Sequence, residues 1–145
     1  DSSICGATPP SDICTGPVGI KLINAGTVTI TGAISSTSAD GEVYISATDT
    51  VSQAAGGTVT GSFVGFSAPS VVVDGTVTSS DDISLLTDSL TIDTAGTISA
   101  TNSIEITPKT GGKSITIGGA SCVTAGCLWL TDLSTTKISA PELAI

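Results

Sequence analysis

Along most of this chain apolar residues alternate with small polar ones. That period of two belongs to a strand with one face buried. One phrase recurs: Gly26-Thr27-Val28-Thr29-Ile30, Gly41-Glu42-Val43-Tyr44-Ile45, Gly57-Thr58-Val59-Thr60, Gly75-Thr76-Val77-Thr78 and Gly96-Thr97-Ile98-Ser99. Gly112-Lys113-Ser114-Ile115-Thr116-Ile117 repeats it offset by one. The opening glycines are 15, 16, 18, 21 and 16 residues apart, a mean of about 17. Further short strands are predicted between the copies, at Ala33-Ile34-Ser35, Phe63-Val64-Gly65-Phe66, Ile83-Ser84-Leu85, Leu90-Thr91-Ile92 and Ile104-Glu105-Ile106. Asp-Gly, Ala-Gly and Gly-Gly pairs mark the turns, because these residues tolerate positive φ. The best helix candidate, Asp81 to Leu86 capped by Ser80 or Asp81, loses its apolar pattern before three helical turns.

Fold class follows from the recurrence. A unit of 17 to 20 residues cannot bury its apolar face alone. Stacked at roughly 4.8 Å, such units pair backbone to backbone and share a continuous interior. The expectation is an all-β, right-handed β-solenoid of roughly six to seven rungs over residues 18–145. A β-sandwich is the alternative, since strands every 8 to 12 residues suit it too. A recurring Gly-Thr-Val-Thr phrase has no reason to arise in a sandwich.

The C-terminal third, residues 90–145, adds a second phrase: Thr124, Ala125, Gly126, Leu128, Leu130, Thr131 and Asp132, closed by Leu143 and Ile145. This resembles the repeats of filamentous haemagglutinin-type secreted adhesins. Cys127 and Trp129 fill variable positions of that phrase. The resemblance implies a large right-handed β-helix that acts in adhesion, and it carries no catalytic residues.

Composition narrows the partners. Four lysines, no arginine and no histidine stand against 13 acidic residues, for a formal charge of −9. Phosphate contacts need clustered cations, so nucleic acid is excluded, and anionic glycans and membranes are poor partners. The hydrophobic share of 39% with only 3% aromatics points to a thin core of Val, Ile, Leu and Ala. No apolar run approaches the roughly 20 residues of a membrane helix. Methionine is absent. We expect a mature extracellular or cell-surface form after signal-peptide removal.

The cysteines fall in two close pairs, Cys5/Cys14 and Cys122/Cys127. Without His or CxxC spacing a zinc site is improbable, and disulfides in an oxidising compartment are expected. Their connectivity stays open. Asp1–Pro17, with three prolines, reads as a disulfide-stapled N-terminal cap or an assembly arm.

No catalytic, cofactor or metal site is expected. The dense carboxylates Asp81, Asp82, Asp88 and Asp93 suit turn capping better than Ca²⁺, with no calcium-loop motif around them. Two roles remain. One is structural or adhesive, with a surface glycan or substratum ligand, or head-to-tail self-association through Trp129, Leu143 and Ile145 into a filament. The other is ice binding by stacked T-x-T motifs at Thr27, Thr29, Thr58, Thr60, Thr76, Thr78 and Thr97. On that reading Glu42, Tyr44 and Lys113 interrupt the array. Neither Asn24 nor Asn102 begins a glycosylation sequon.

Overall fold

A computed structural model describes residues 12–16, 19–24, 26–36, 40–117, 127–130, 134 and 136–145, with the backbone alone at 12–16 and 129. Its strands run in chain order: β1 (Asp12–Gly16), β2 (Gly19–Asn24), β3 (Val28–Ile30), β4 (Ala33–Ser35), β5 (Glu42–Ala47), β6 (Thr50–Gln53) and β7 (Thr58–Val73). They continue as β8 (Thr76–Ile92), β9 (Thr97–Ala100), β10 (Ser103–Thr107), β11 (Ile115–Ile117), β12 (Leu128–Leu130), β13 (Ile138–Ser139) and β14 (Glu142–Ala144). No helix occurs among the described residues.

The strands pair parallel with strands roughly one turn away in sequence. The chain is thus an all-β solenoid of about four turns. Each turn lays one strand on each of three faces. On face 1 the inward rank reads Ile20, Val43, Val64, Ile83, Ile104 and Leu143, with Leu22, Ile45, Phe66, Leu85 and Ile106 beside it. Face 2 contributes Val28, Val51, Val71, Leu90, Leu130 and Ile117. Face 3 contributes Ile34, Val59, Val77, Ile98 and Ile138. Like stacks on like, so no rung meets a polar partner in these ranks. Most of these residues are buried, including Val43, Val64, Leu85 and Ile104 at 0% exposure. Burying each such side chain is worth about 2 kcal/mol.

Strands β7 and β8 each cross all three faces without a break, 16 and 17 residues long. Their corners are turned by small residues and buried hydroxyls. Ser79 Oγ donates to the Ser62 carbonyl at 2.5 Å and accepts from the Asp81 amide at 3.1 Å. The ladder slips by one residue there, between Gly61 and Phe63. Such a bulge lets the strand bend while pairing resumes beyond it. Thr87 is fully buried at the next corner, its Oγ1 2.8 Å from the Ser89 carbonyl and 3.3 Å from that of Pro69.

The sequence pattern misassigned the repeat unit. Only Gly57, Gly75 and Gly96 open strands on the same face, their threonines pairing Thr58 to Thr76 to Thr97. Gly26 precedes β3 on face 2, Gly41 precedes β5 on face 1, and Gly112 precedes β11. The turn is longer than the mean glycine interval: along face 1 the steps are 23, 21, 19 and 21 residues, from Ile20 to Val43, Val64, Ile83 and Ile104. The physical cause is that any face wants an inward Val or Ile between outward threonines, so one phrase serves all three.

The order of strands is also broken once. β12, which pairs with β8, continues the ladder of face 2, while the earlier strand β11 pairs outside it. The chain reaches the last rung at β11, returns to the rung before it at β12, and regains the last rung at β14. At the other end β1 lies antiparallel along β2, with Cys14 opposite Lys21. Residues 1–11 and 17–18 lie outside the described residues, and with them the rest of the expected cap.

Two substitutions test this packing, and a third is their control. Ile83→Ala should cost about 2–5 kcal/mol in chemical denaturation, because it opens a cavity between two rungs. Gly96→Ala should also destabilise, since an added Cβ would overlap the Val73 carbonyl oxygen of the preceding rung. Thr91→Ala, on the exposed side of β8, should stay within about 0.5 kcal/mol.

Candidate functional site

Three aspartates, Asp74, Asp82 and Asp88, act within the solenoid as links between rungs. Asp82 Oδ1 accepts from Asn102 Nδ2 at 3.0 Å, the Ser103 amide at 3.0 Å and Ser103 Oγ at 2.6 Å. Asp74 Oδ1 accepts from the Ala95 amide at 3.3 Å. Asp88 receives the Thr110 amide at 2.8 Å, Thr110 Oγ1 at 2.7 Å and Lys113 Nζ at 3.1 Å. In each case the carboxylate serves a backbone amide about one turn ahead. Turn capping therefore accounts for Asp82 and Asp88, and no cluster of three metal-ligating side chains occurs among the described residues. The Asp81 carbonyl accepts from the Asn102 amide of the next rung, and the Asp93 carbonyl accepts from the Gly96 amide within its own turn.

Burial raises the Asp88 pKa, and the bonds from Thr110 and Lys113 outweigh it, holding the carboxyl below its ordinary 3.8. A latch of this kind is worth its full amount above that value and weakens as pH falls beneath it.

All four lysines are likewise engaged locally. Lys113 meets Asp88, Lys109 Nζ donates to Ser67 Oγ at 2.8 Å, and Lys137 Nζ donates to the Asp93 and Thr94 carbonyls, both at 2.6 Å. Lys21 Nζ stands 5.9 Å from the centre of the Tyr44 ring. One buried polar residue went unnoticed in the sequence. Gln53 sits in the inward rank between Ile30 and Val73, and its Nε2 donates to the Gly57 and Thr76 carbonyls at 2.9 and 3.0 Å. It clips two rungs together at a corner. The alternating pattern around it, Thr50-Val51-Ser52-Gln53, placed it inward, but nothing local named its partners.

The T-x-T residues divide between faces. Thr58, Thr76 and Thr97 form one outward rank on face 3, and Ser35, Thr60, Thr78, Ser99 and Ser139 form the next. Thr27 and Thr29 are exposed but belong to the approach and strand of face 2, so they leave this array. Glu42 and Tyr44 stand on face 1, and Lys113 precedes β11, so these three do not interrupt it. Five of the seven expected threonines thus share one field, joined by serines of the same face.

Two of the assembly residues share the final rung. Leu143 and Ile145 are each 40% exposed, although Leu143 continues the inward rank of face 1. Trp129 pairs through its backbone with Ser89 and Thr116, and its side chain lies outside the described residues. Cys127 is buried, and no described cysteine is a free thiol. The side chains of Cys5, Cys14 and Cys122 lie outside the described residues, so the pairing expected for them is not placed.

No family model, curated protein or solved structure matches this chain. The resemblance to filamentous haemagglutinin-type repeats thus rests on the sequence phrases alone.

Replacing Asp82 by Ala should cost about 1–3 kcal/mol, because it strands donors of the next rung. The Asp88 latch should show in its pH dependence. The stability difference between the parent chain and Asp88→Asn, measured by denaturation, should hold constant above the ordinary carboxylate value of 3.8 and shrink as pH falls below it.

Proposed function

We propose that this chain is a non-catalytic, extracellular structural or adhesive solenoid. The observation that carries the reading is the use of its chemistry-bearing side chains. Asp74, Asp82, Asp88 and all four lysines are spent on joining neighbouring rungs or covering the sheet. What remains outward on face 3 is a field of small hydroxyls in register, suited to presenting a surface. No described helix is long and apolar enough to cross a membrane. Disulfides at the two cysteine pairs suit an oxidising compartment.

Head-to-tail growth into a filament is part of this reading, and β1 sets its condition. A neighbour adding β14 parallel to β2 needs the free edge of β2, which β1 occupies. Growth therefore requires β1 to move aside. Ice binding is the second reading, favoured by the two-by-three block of Thr58, Thr76, Thr97, Thr60, Thr78 and Ser99 on face 3.

Films of polysaccharide, mineral and protein on a quartz-crystal microbalance test the adhesive role: saturable retention on at least one is expected, and retention on none contradicts it. Negative-stain microscopy should show rods that lengthen when β1 is disabled by Thr15→Pro. Thermal hysteresis that disappears in Thr76→Lys would transfer the assignment to ice. Before reduction the secreted chain should take up no N-ethylmaleimide, and after reduction one per cysteine; prompt labelling without reductant contradicts the oxidising compartment.

A further inference from the structure

Face 1 carries a feature that rod-building does not use. Its outward positions hold Ile23 on β2, Tyr44 on β5 and Phe63 on β7, one on each of three successive rungs. Each is displaced by two residues from the rank of the one before, so they run as a diagonal across the sheet. Elsewhere on this face the outward residues are largely Ser, Gly, Asp and Glu. Between the two rings lies Gly65, paired directly with Tyr44 and buried despite its outward position. A Cβ placed there would lie 2.7 Å from Tyr44 Cδ2 and 3.0 Å from Phe63 Cε1. The absence of a side chain at Gly65 therefore lets both half-buried rings lie against it, side by side on the outer surface of face 1. The bulge between Gly61 and Phe63 immediately precedes the phenyl ring, at a place where such irregularities re-aim a side chain.

We propose that Tyr44 and Phe63, extended by Ile23, form a stacking platform for a neutral pyranose chain. This inference rests on the adhesive reading and names its ligand class. Aromatic faces carry negative charge density and attract the positively polarised C–H bonds of a sugar ring. Hydrogen-bonding groups surround the platform: Lys21 stands over the Tyr44 ring, and exposed Glu42 lies opposite Phe63. A ligand with an apolar face and hydroxyl edges meets both parts. The formal charge of −9 selects against anionic glycans.

The test is calorimetric titration of the full chain with neutral hexasaccharides: cellohexaose, chitohexaose and laminarihexaose. Binding of at least one is expected. Tyr44→Thr and Phe63→Thr keep strand-favouring residues and should each weaken it about tenfold or more, as loss of an aromatic anchor does. Tyr44→Phe should retain it, and circular dichroism should show all variants folded. Binding that survives both threonine variants overturns the platform and leaves the adhesive reading standing. Failure to bind any of the three sugars also overturns the platform, while retention on the microbalance films still decides adhesion separately.

Discussion

Backbone pairing between successive turns is the constraint on which everything else depends. A parallel ladder leaves each strand incomplete until the next turn arrives, and the inward side chains stay wet until then. This explains the uniformity of the inward ranks. Ile20, Val43, Val64, Ile83 and Ile104 occupy one line through the molecule, so a polar residue in it would disturb two neighbours at once. Gln53 is tolerated because it stands at a corner, where two carbonyls of adjoining rungs accept its amide.

The same dependence shapes the surface. Asp74, Asp82 and Asp88 are each committed to a turn ahead, and Lys109, Lys113 and Lys137 are bonded within the solenoid. Strong local bonding between rungs leaves the faces free to differ. Face 3 became a field of hydroxyls, while face 1 acquired a diagonal of apolar groups settled over Gly65. A solenoid divides labour in this way because outward positions contribute little to the interior.

Much of this architecture was legible in the sequence. Alternation located β4, β10 and parts of β7 and β8, and the aspartates near turns were read as caps, as Asp82 and Asp88 prove to be. The turn length was not legible, because Gly-Thr-Val-Thr suits a strand on any face. The continuity of β7 and β8 round their corners left no turn signal, since small residues such as Gly61 and Ser62 bend without breaking. The displacement of β11 beyond β12 depends on which rung each strand reaches, and no local pattern encodes that. The platform on face 1 was hidden for a related reason: Tyr44 and Phe63 are 19 positions apart, and only the register brings Gly65 between them.

Nuclear Overhauser contacts between backbone amides test the stacking most directly. The account predicts a parallel series of contacts on face 1 linking the neighbourhoods of Val43, Val64, Ile83 and Ile104, each about one turn from the next. Beyond the antiparallel pair of β1 and β2, antiparallel contacts between strands adjacent in sequence, as two facing sheets would give, would contradict it.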